Sequence, residues 1–438
     1  MKKVLLYSFL LGSAWSVQAQ EVLSLEEAKS QALQHNRLLS IQKEKVRESE
    51  YKVTEAKTKN KPQFLASGMY VFNGITKDLA IPAGAFGQVG GTYLPQQPVP
   101  LFQSKHNLFL GSVGAYQPIS QLGKIKVGVK AAEADVRIAQ TQVTKAELEV
   151  LQGVEKLYYG VLITQKQLDE ANANVQLTQA KLYDVESALL AGKTDEVYKV
   201  GLQADLANQQ QKVVQILNQM EDYEADLKVV LGVPDTDSLR LTDVSVAGLA
   251  VQPLNTYLEE ARQSNPDVKL ATQTIEKVEY GIEAARKDKL PNVGVLAGYN
   301  YQNVISDLPA NNYFLGLNVS WNIYDFGKRR SEENQRLSQK KQAEAYQAHT
   351  QEDVAAKISK AYRKVTQSQR LITVAQQAVT LRREEVRMKT NAKEAGLKLE
   401  KDLLESKASL AKAEQDLYGA QLAYRLALAE LNTLAGIR

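Results

Sequence analysis

The fold is decided by a long stretch without proline, residues 124–192, which reads KIKVGVKAAEADVRIAQTQVTKAELEVLQGVEKLYYGVLITQKQLDEANANVQLTQAKLYDVESALLAG. Proline removes an amide donor and clashes with the preceding helical turn, so its absence permits a very long helix. At a rise of ~1.5 Å per residue, a helix from Lys124 to Ala191 is roughly 100 Å long. Gly192 accepts the left-handed conformation that ends helices. We expect the chain to turn there and to return as a second long helix to Leu231.

Apolar residues follow these two helices at steps of three and four. On the first helix they are Leu148, Leu151, Val154, Leu157, Tyr158 and Val161, and on the second Leu202, Leu206, Val213, Leu217, Met220, Leu227 and Leu231. Such spacing places one narrow apolar stripe on each helix. Narrow stripes on long helices are typical of coiled-coil packing between neighbouring helices.

The chain contains two copies of one pattern. Residues 25–72 align with residues 254–301 at an offset of 229, which matches Leu25 with Leu254, Ala32 with Ala261, Asn36 with Asn265, Pro62 with Pro291 and Tyr70 with Tyr299. From residue 118 onward the offset is 204, which matches Gly123-Lys124 with Gly327-Lys328, Tyr158 with Tyr362, Gly192 with Gly396 and Gly232 with Gly436. So long a common register indicates internal duplication. The two offsets differ by 25, which places about 25 extra residues in the first copy between 73 and 112.

Each copy has the same order of elements: a short helix, a longer helix, a proline, two strands joined by a loop, a glycine and two very long helices. We expect the first repeat over 20–233, a linker over 234–253 and the second repeat over 254–438, with long hairpins over 124–231 and 328–436. Ser24-Leu25-Glu26-Glu27 is a capping box that starts the first helix. The predicted fold class is mainly α with a smaller β part.

The first residues have the features of a secretory signal peptide. Lys2 and Lys3 precede an apolar run from Val4 to Trp15, and Val17-Gln18-Ala19 is a small-x-small cleavage pattern. We therefore expect a signal peptide over 1–19. A membrane anchor is the alternative, but about a dozen apolar residues are too few to span a bilayer.

Four segments alternate apolar with small or polar residues, at about 62–72, 107–117, 291–302 and 312–323. This length and period suit strands that cross an outer membrane with an apolar face toward lipid. Six aromatic residues are candidates for the lipid-facing surface or the interfacial girdles: Tyr70, Phe72, Tyr299, Tyr301, Tyr313 and Trp321. A soluble sheet with one face on a core is the alternative interpretation.

Four strands cannot close a barrel by themselves, because the smallest single-chain barrels have about eight. Open strand edges are not tolerated in lipid. If the strands span the membrane, several chains must share one barrel. Two chains would give about eight strands and an interior filled by side chains, whereas three would give about twelve and room for a pore.

The composition argues against chemistry carried out by the chain itself. The 438 residues include no Cys, which excludes disulfides, thiolate metal sites and a cysteine nucleophile. The three histidines, His35, His106 and His349, lie far apart in the sequence, and no catalytic constellation stands out. A formal net charge of +4 is too small to suggest nucleic-acid binding. We expect no enzyme activity, no cofactor and no resident metal.

The duplicated order resembles the TolC family of outer-membrane efflux ducts over essentially the whole mature chain. The resemblance is carried by the paired Leu-x6-Ala-x3-Asn starts, by Pro62 and Pro291 before the strands, and by the strand ends Gln117-Pro118-Ile119 and Trp321-Asn322-Ile323-Tyr324-Asp325-Phe326-Gly327-Lys328. The last hairpin is also similar, from Ala395-Gly396 through Asp402-Leu403-Leu404-Glu405 to Leu431-Asn432-Thr433-Leu434-Ala435-Gly436.

The resemblance implies a homotrimer with one twelve-stranded transmembrane β-barrel in the outer membrane and a coiled-coil α-barrel that forms a tunnel in the periplasm. It also implies a passive exit duct of a tripartite efflux or type I secretion system. Family members work with a periplasmic adaptor (membrane fusion) protein and an inner-membrane pump of the resistance-nodulation-division, ABC or major-facilitator type. The cargo implied is drugs, toxic compounds or secreted proteins. Outer-membrane lipid is the remaining expected partner. We expect no nucleic-acid partner.

The resemblance further implies a gate at the periplasmic tip. By spacing after Gly396, the family's acidic ring matches Asp402 and Glu405, although the family has Asp at both places. Lys398 matches a basic residue that helps to hold the family's gate shut, while Lys393 stands where the family has a tyrosine. Six carboxylates from three chains would attract cations into one narrow lumen. The alternative is two solvated acids on a charged helix.

Adaptor contact in the family falls on the hairpin tips, which match Gly192, Lys193, Ala395, Gly396 and Leu397 here. The need for glycine in a tight turn explains these tips equally well. For the whole protein, the alternative function is a periplasmic or extracellular coiled-coil scaffold without transport activity. Its strands would need no continuous apolar band.

Overall fold

The structure is a computed structural model that describes residues 22–234, 239–243, 251–305, 308–395 and 400–437. The expected signal peptide over 1–19 lies outside this part of the chain, as does much of the expected linker. The chain forms two compact units. Of the described residues, the first contains those up to 42 and those within 142–268 and 350–438, and the second contains those within 43–141 and 269–349.

The first copy of the repeat contains four helices and two long strands, together with several short strands. Its elements are β1 (Val22–Leu23), α1 (Leu25–His35), α2 (Arg37–Thr58), β2 (Gln63–Phe72), β3 (Leu79–Ile81), β4 (Gln88–Val89), β5 (Thr92–Tyr93), β6 (Val99–Phe102), β7 (Asn107–Pro118), α3 (Leu122–Leu190) and α4 (Glu196–Leu231).

The second copy repeats the four helices and the two long strands. Its elements are β8 (Arg240–Leu241), α5 (Leu254–Ser264), α6 (Pro266–Lys287), β9 (Asn292–Gln302), β10 (Asn311–Ser320), α7 (Lys328–Glu394) and α8 (Glu400–Ala435). No helix of the described residues is apolar over a length that would cross a bilayer.

Two apolar clusters lie in the first unit, one for each copy of the repeat. The first contains Leu23, Leu25, Ala28, Ala32, Val154, Tyr158, Tyr159, Leu227, Leu231 and Leu422. The second contains Tyr257, Ala261, Val268, Val354, Ile358, Ala361, Val365, Tyr424, Ala427, Leu428, Leu431 and Ala435. Full burial of one such aliphatic side chain is worth about 1.5–3 kcal/mol. These clusters hold the first long hairpin against α1, and the second against α5 and the start of α6.

Two asparagines fasten the short helices to the long hairpins in the same way. The side-chain amide of Asn36, between α1 and α2, donates to the carbonyl of Val230 at 3.0 Å. The amide of Asn265 donates to the carbonyl of Leu434 at 2.8 Å. In both cases the side-chain oxygen accepts the backbone N–H three residues further on, at 3.1 Å. These partners occupy equivalent positions, so the duplication extends to individual hydrogen bonds.

A small tyrosine cluster ties β1 and the segment after β8 to the long helices. The hydroxyl of Tyr158 donates to the carbonyls of Leu23 and Thr242, and that of Tyr418 donates to the carboxylate of Asp243 at 2.5 Å. Burial raises the pKa of Tyr418, and the hydrogen bond to Asp243 raises it further. The neutral phenols therefore act as structural donors here.

The second unit contains a four-stranded antiparallel sheet with the strand order β10-β9-β7-β2. The β2–β7 and β9–β10 pairs lie within the two copies of the repeat, and the β7–β9 pair joins one copy to the other. Among the described residues, β2 and β10 each pair on one side only, so both are edge strands of this chain.

One face of this sheet consists mostly of apolar or small residues. Its members are known from the strand register, because directly paired residues on neighbouring strands share a face. The register places on it Phe64, Ala66, Gly68, Tyr70, Phe72, Phe109, Gly111, Val113, Ala115, Val293, Val295, Ala297, Tyr299, Tyr301, Tyr313, Leu315, Leu317 and Val319, with the polar Asn107, Gln117 and Asn311 toward the strand ends. Several are highly exposed, such as Leu315 at 79% and Leu317 at 70%. The opposite face carries more Gly, Ser and Asn.

The loop between β2 and β7 contains the extra residues of the first copy. It forms two short antiparallel pairs, β3 with β6 and β4 with β5. Its base is closed where the N–H of Asn73 donates to the carbonyl of His106 at 2.8 Å and the amine of Lys105 donates to the carbonyl of Asn303 at 2.9 Å.

The last long strand is shorter than its sequence suggests. Alternation continues to Ile323, but β10 ends at Ser320. After that point the indole N–H of Trp321 donates to the carbonyl of Lys289 at 3.3 Å. The one neighbour of β10 among the described residues, β9, begins at Asn292 opposite Ser320, and Pro291 before it has no N–H that would prolong the pairing.

Candidate functional site: the hairpin ends and the apolar sheet face

The first hairpin turns at a glycine in the left-handed conformation. Gly192 has a φ of 67°, its N–H donates to the carbonyl of Leu189, and the N–H of Lys193 donates to the carbonyl of Ala188. This pair of bonds is the Schellman motif that caps helix C-termini. Gly192 and Lys193 are both exposed at this tip. Leu190 and Val197 are exposed beside them, at 92% and 78%.

The second hairpin turns after α7. The N–H of Ala395 donates to the carbonyl of Asn391 at 3.0 Å, and Ala395 is exposed. The next residues with a predicted role, Gly396, Leu397 and Lys398, lie outside the described residues. On either side of them, Lys393 forms an ion pair with Glu400. Lys393, which the resemblance matches to a gate tyrosine, therefore pairs across the turn.

The predicted gate carboxylates lie at the start of α8. Asp402 and Glu405 are three residues apart, which places them on neighbouring positions of one helix face. Asp402 is half-buried and Glu405 is exposed. Between and after them, Leu403 and Ser406 are buried. The structure thus separates an acidic strip from the packed side of the same helix.

A charged network next to this strip was not predicted from the sequence. Glu385 of α7 accepts hydrogen bonds from Arg382 at 2.7 Å and from Lys389 at 3.2 Å, and the hydroxyl of Ser406 donates to it at 3.4 Å. The two cations, Arg382 first, lower the pKa of Glu385. Since both cations stand at helical spacing, i−3 and i+4, a search for such pairs would have found the network.

The two helices of each hairpin are also joined by charges. In the second hairpin the guanidinium of Arg383 donates twice to Glu414, at 2.7 and 3.1 Å. In the first hairpin the buried Glu170 accepts from Lys212 at 3.0 Å and from the amide of Asn174 at 2.7 Å. A buried carboxylate with two donors fixes the register of its helices, because moving either helix would leave the charge unpaired.

The six aromatic candidates are all exposed in the second unit. Five of them lie on the apolar face of the sheet, near the end that carries the loops. There the hydroxyl of Tyr70 donates to Asn107 at 2.8 Å, and that of Tyr299 donates to Asn311 at 2.7 Å. Trp321 lies at the other end, just after β10. Rings with a polar tip at the two ends of an apolar band are typical of membrane interfaces.

These features define a class of protein. A duplicated chain with two long helical hairpins and an open sheet with one exposed apolar face suits a membrane conduit better than a soluble globule. The chain belongs to the family described as Outer membrane efflux protein, whose pattern matches residues 28–233 and 257–437. It is therefore an outer-membrane protein of a channel family, with its helices in the periplasm, and the resemblance to TolC is confirmed.

Solved structures of outer-membrane channels have the same fold. The chain is similar to the Campylobacter jejuni CmeC outer membrane channel at 14% identity and a TM-score of 0.74, covering 94% of this chain and 85% of that one. It is similar to the Vibrio cholerae outer membrane protein VceC at 16% identity and a TM-score of 0.70, covering 94% and 96%. The open state of the Neisseria gonorrhoeae MtrE outer membrane channel matches at 15% identity and 0.70, covering 94% and 89%. A comparison with curated protein sequences finds no match.

Proposed function

We propose that three copies of the chain form a passive exit duct of a tripartite efflux or type I secretion system. One observation carries the proposal: the four-stranded sheet combines an exposed apolar face with two unpaired edges, β2 and β10. An apolar face requires lipid or a partner, and an unpaired edge cannot remain in lipid. Copies of the chain satisfy both requirements when they join edge to edge in one barrel.

Three copies give a barrel of the right kind for a duct. A barrel of about eight strands, from two copies, is filled by its own side chains, whereas about twelve strands leave room for a lumen. The face that would line this lumen is mixed: it carries Asn300, Asn312 and Asn318 beside apolar residues such as Leu296 and Phe314. The apolar face then meets lipid, with Tyr70, Phe72, Tyr299, Tyr301, Tyr313 and Trp321 toward its ends.

The long hairpins supply the walls of a periplasmic tunnel in this proposal, and partners dock at its end. The tips Gly192, Lys193, Ala395, Gly396 and Leu397 are the proposed contacts for a periplasmic adaptor protein. The exposed Leu190 and Val197 at the first tip support this assignment, because apolar side chains at a solvent-facing turn favour a partner surface. The adaptor links the duct to an inner-membrane pump of the resistance-nodulation-division, ABC or major-facilitator type, which supplies the energy.

The gate of the proposed duct is the acidic strip of α8. Asp402 and Glu405 from three copies form its ring, and Lys398 helps to hold it closed. The pairing of Lys393 with Glu400 supports a latch of charges in place of the family's tyrosine. The buried Leu403 and Ser406 on the same turns of α8 support a fixed position for the strip.

The competing function is a coiled-coil scaffold without transport. Such a scaffold has no use for a sheet with a continuous apolar face, so the exposed side chains of β2, β9 and β10 favour the duct. The two functions differ in assembly and in location. A scaffold would be recovered in the soluble fraction and would carry no ionic current in a bilayer.

The test is the native mass of the protein extracted in detergent from a fractionated outer membrane, followed by conductance in planar bilayers. We expect a trimer in that fraction and stepwise ionic currents from the purified trimer. Protein from cells that carry the empty vector is the control for contaminating porins. A monomer or dimer in the soluble fraction, or a trimer that conducts no ions under any voltage, would contradict the proposal.

A further inference from the structure

The internal duplication holds at the level of single contacts. In the first copy the amide of Gln117 donates to the carbonyl of Asn60 at 3.0 Å. In the second copy the indole of Trp321 donates to the carbonyl of Lys289 at 3.3 Å. Trp321 corresponds to Gln117 at the offset of 204, and Lys289 corresponds to Asn60 at the offset of 229. The contact is kept although both residues differ, so the offsets describe the geometry and not only the sequence.

Strand pairing obeys the same two offsets. In the first copy Leu65 pairs with Gly114. The equivalent residues of the second copy are Gly294 and Asn318, and these two are paired. The whole register of β2 with β7 maps in this way onto that of β9 with β10. The offsets therefore predict the register of β9 with β10 correctly from that of β2 with β7.

The seam between the two copies of the repeat is the pairing of β7 with β9. Val113 lies opposite Tyr299, and Gly114 opposite Gly298. In a closed barrel the second copy of one chain must meet the first copy of the next chain, so β10 takes the place of β7 and β2 takes the place of β9. The seam inside one chain is thus a template for the seam between chains.

We propose that β10 of one chain pairs with β2 of the next chain in the trimer. The register is the one that this template dictates, with Leu317 opposite Tyr70 and Asn318 opposite Met69. The inference rests on the proposed trimer and specifies its interface. The register keeps the faces matched: Leu317 and Tyr70 both lie on the apolar face, and Asn318 and Met69 both lie on the other face.

The template also explains the early end of β10. Strand β7 continues to Pro118, which pairs with Gly294. The residue equivalent to Pro118 is Asn322, two residues beyond the end of β10 at Ser320. In the assembled duct Trp321 and Asn322 would extend β10 along Ala66 and Leu65 of the next chain. The predicted alternation to Ile323 then fits the assembled strand and not the isolated one.

The inference concerns strand pairing only, because an ion pair of the long helix α3 cannot be repeated between chains. Within the chain Lys124 of α3 forms an ion pair with Asp288. The equivalent residues at the seam between two chains are Lys328 of one chain and Lys59 of the next, which have the same charge. Backbone pairing needs no particular side chains, so it can be shared by both seams, whereas this ion pair cannot. The test is therefore placed in the strands.

The experiment is disulfide trapping of the full-length trimer, for which the absence of native Cys leaves a clean background. The variant Asn318→Cys with Met69→Cys places two thiols directly opposite each other, on the face that oxidant in the lumen can reach. At this position of an antiparallel pair the Cα atoms are about 4.5–5.5 Å apart, within the range of a disulfide. We expect a covalent trimer on a non-reducing denaturing gel after mild oxidation, lost on reduction.

The matched controls shift the register by two residues and keep the face. They are Asn318→Cys with Ser67→Cys and Asn318→Cys with Val71→Cys, whose diagonal separations of about 7–8 Å disfavour a bond. We expect at least tenfold less cross-linked product from either. Faster cross-linking of a control overturns the register. Absence of cross-links from all three variants in a sample whose native mass is that of a trimer overturns it as well, while the duct stands. A native mass below a trimer instead removes the proposed function.

Discussion

Gly436 and Gly232 end the long helices α8 and α4 where no side chain fits. Their φ angles are 77° and 71°, in the left-handed region that L-residues with a Cβ rarely adopt. A Cβ on Gly436 would lie 2.5 Å from the carbonyl oxygen of Ser264, and one on Gly232 would lie 2.8 Å from that of His35. The close approach exists because each helix end packs on the turn between two short helices.

Replacement of Gly436 by Ala should destabilise the protein more than a left-handed conformation alone explains. The strain of that conformation costs about 1–2 kcal/mol, and relief of the overlap with the backbone of Ser264 adds about 1–3 kcal/mol. The matched control is Gly327→Ala, because Gly327 has a φ of 87° but open space around its Cβ position. The measurement is the midpoint of helix loss by circular dichroism in detergent, at one heating rate. Equal midpoints for the two variants would contradict the role of the contact.

Residue-scale features differ in how far the sequence predicts them. Asn36 and Asn265 stand out as matched positions, and the resemblance points to them, but their bonds to Val230 and Leu434 become visible only when the distant helix end is in place. Glu385 is different. Its cations stand at helical spacing in the sequence, although its contact with Ser406 depends on how α7 and α8 pack.

At the scale of elements, the long helices follow from local rules and the short strands do not. The lack of proline and the turn glycines predict α3 over nearly the whole range that the structure gives, Leu122–Leu190. The loop between β2 and β7 has no comparable period. Its short pairs β3–β6 and β4–β5 have two to four residues per strand, too few for an alternating pattern to be read from the sequence.

The two faces of β10 should respond differently to a charge. We expect Leu317→Lys, on the apolar face, to reduce the amount of assembled trimer in the outer membrane several-fold, because a lysine at the middle of the lipid face costs about 2–4 kcal/mol. The neighbouring variant Asn318→Lys points to the other face and should assemble normally. Its extra charges in the lumen should shift ion selectivity toward anions. The measurements are immunoblots of membrane fractions and reversal potentials in bilayers.

This pair of variants separates a lipid-facing sheet from a sheet that packs on protein. If both lysines were tolerated equally, the apolar face would not meet lipid. If Asn318→Lys blocked assembly while Leu317→Lys did not, the faces would be reversed with respect to the lumen.

For the whole molecule, the duplication makes the chain nearly but not fully symmetric. The sheet pairing and the asparagine contacts repeat, whereas the hairpin tips diverge. Six and nine residues after the turn glycine, the second hairpin has Asp402 and Glu405, but the first has Tyr198 and Gly201. A trimer would therefore present six equivalent hairpins in its fold, and only three of them would carry acids six and nine residues after the turn glycine. In the proposed duct, this divergence would let the second hairpin carry the gate while the first contributes only to the wall.

This division predicts the response of the duct to multivalent cations. Removal of the acids in Asp402→Ala with Glu405→Ala should raise the half-blocking concentration of a trivalent cation such as hexamminecobalt about tenfold or more in bilayer recordings, which corresponds to about 1.4 kcal/mol of binding free energy. The reason is that carboxylates around one narrow lumen act together on a single cation. The control Asp205→Ala with Glu221→Ala removes the same charge from exposed positions of α4 and should leave the block unchanged. If the two double variants were blocked alike, Asp402 and Glu405 would be ordinary solvated acids and the gate would have to be sought elsewhere, first at the ion pair of Lys393 and Glu400.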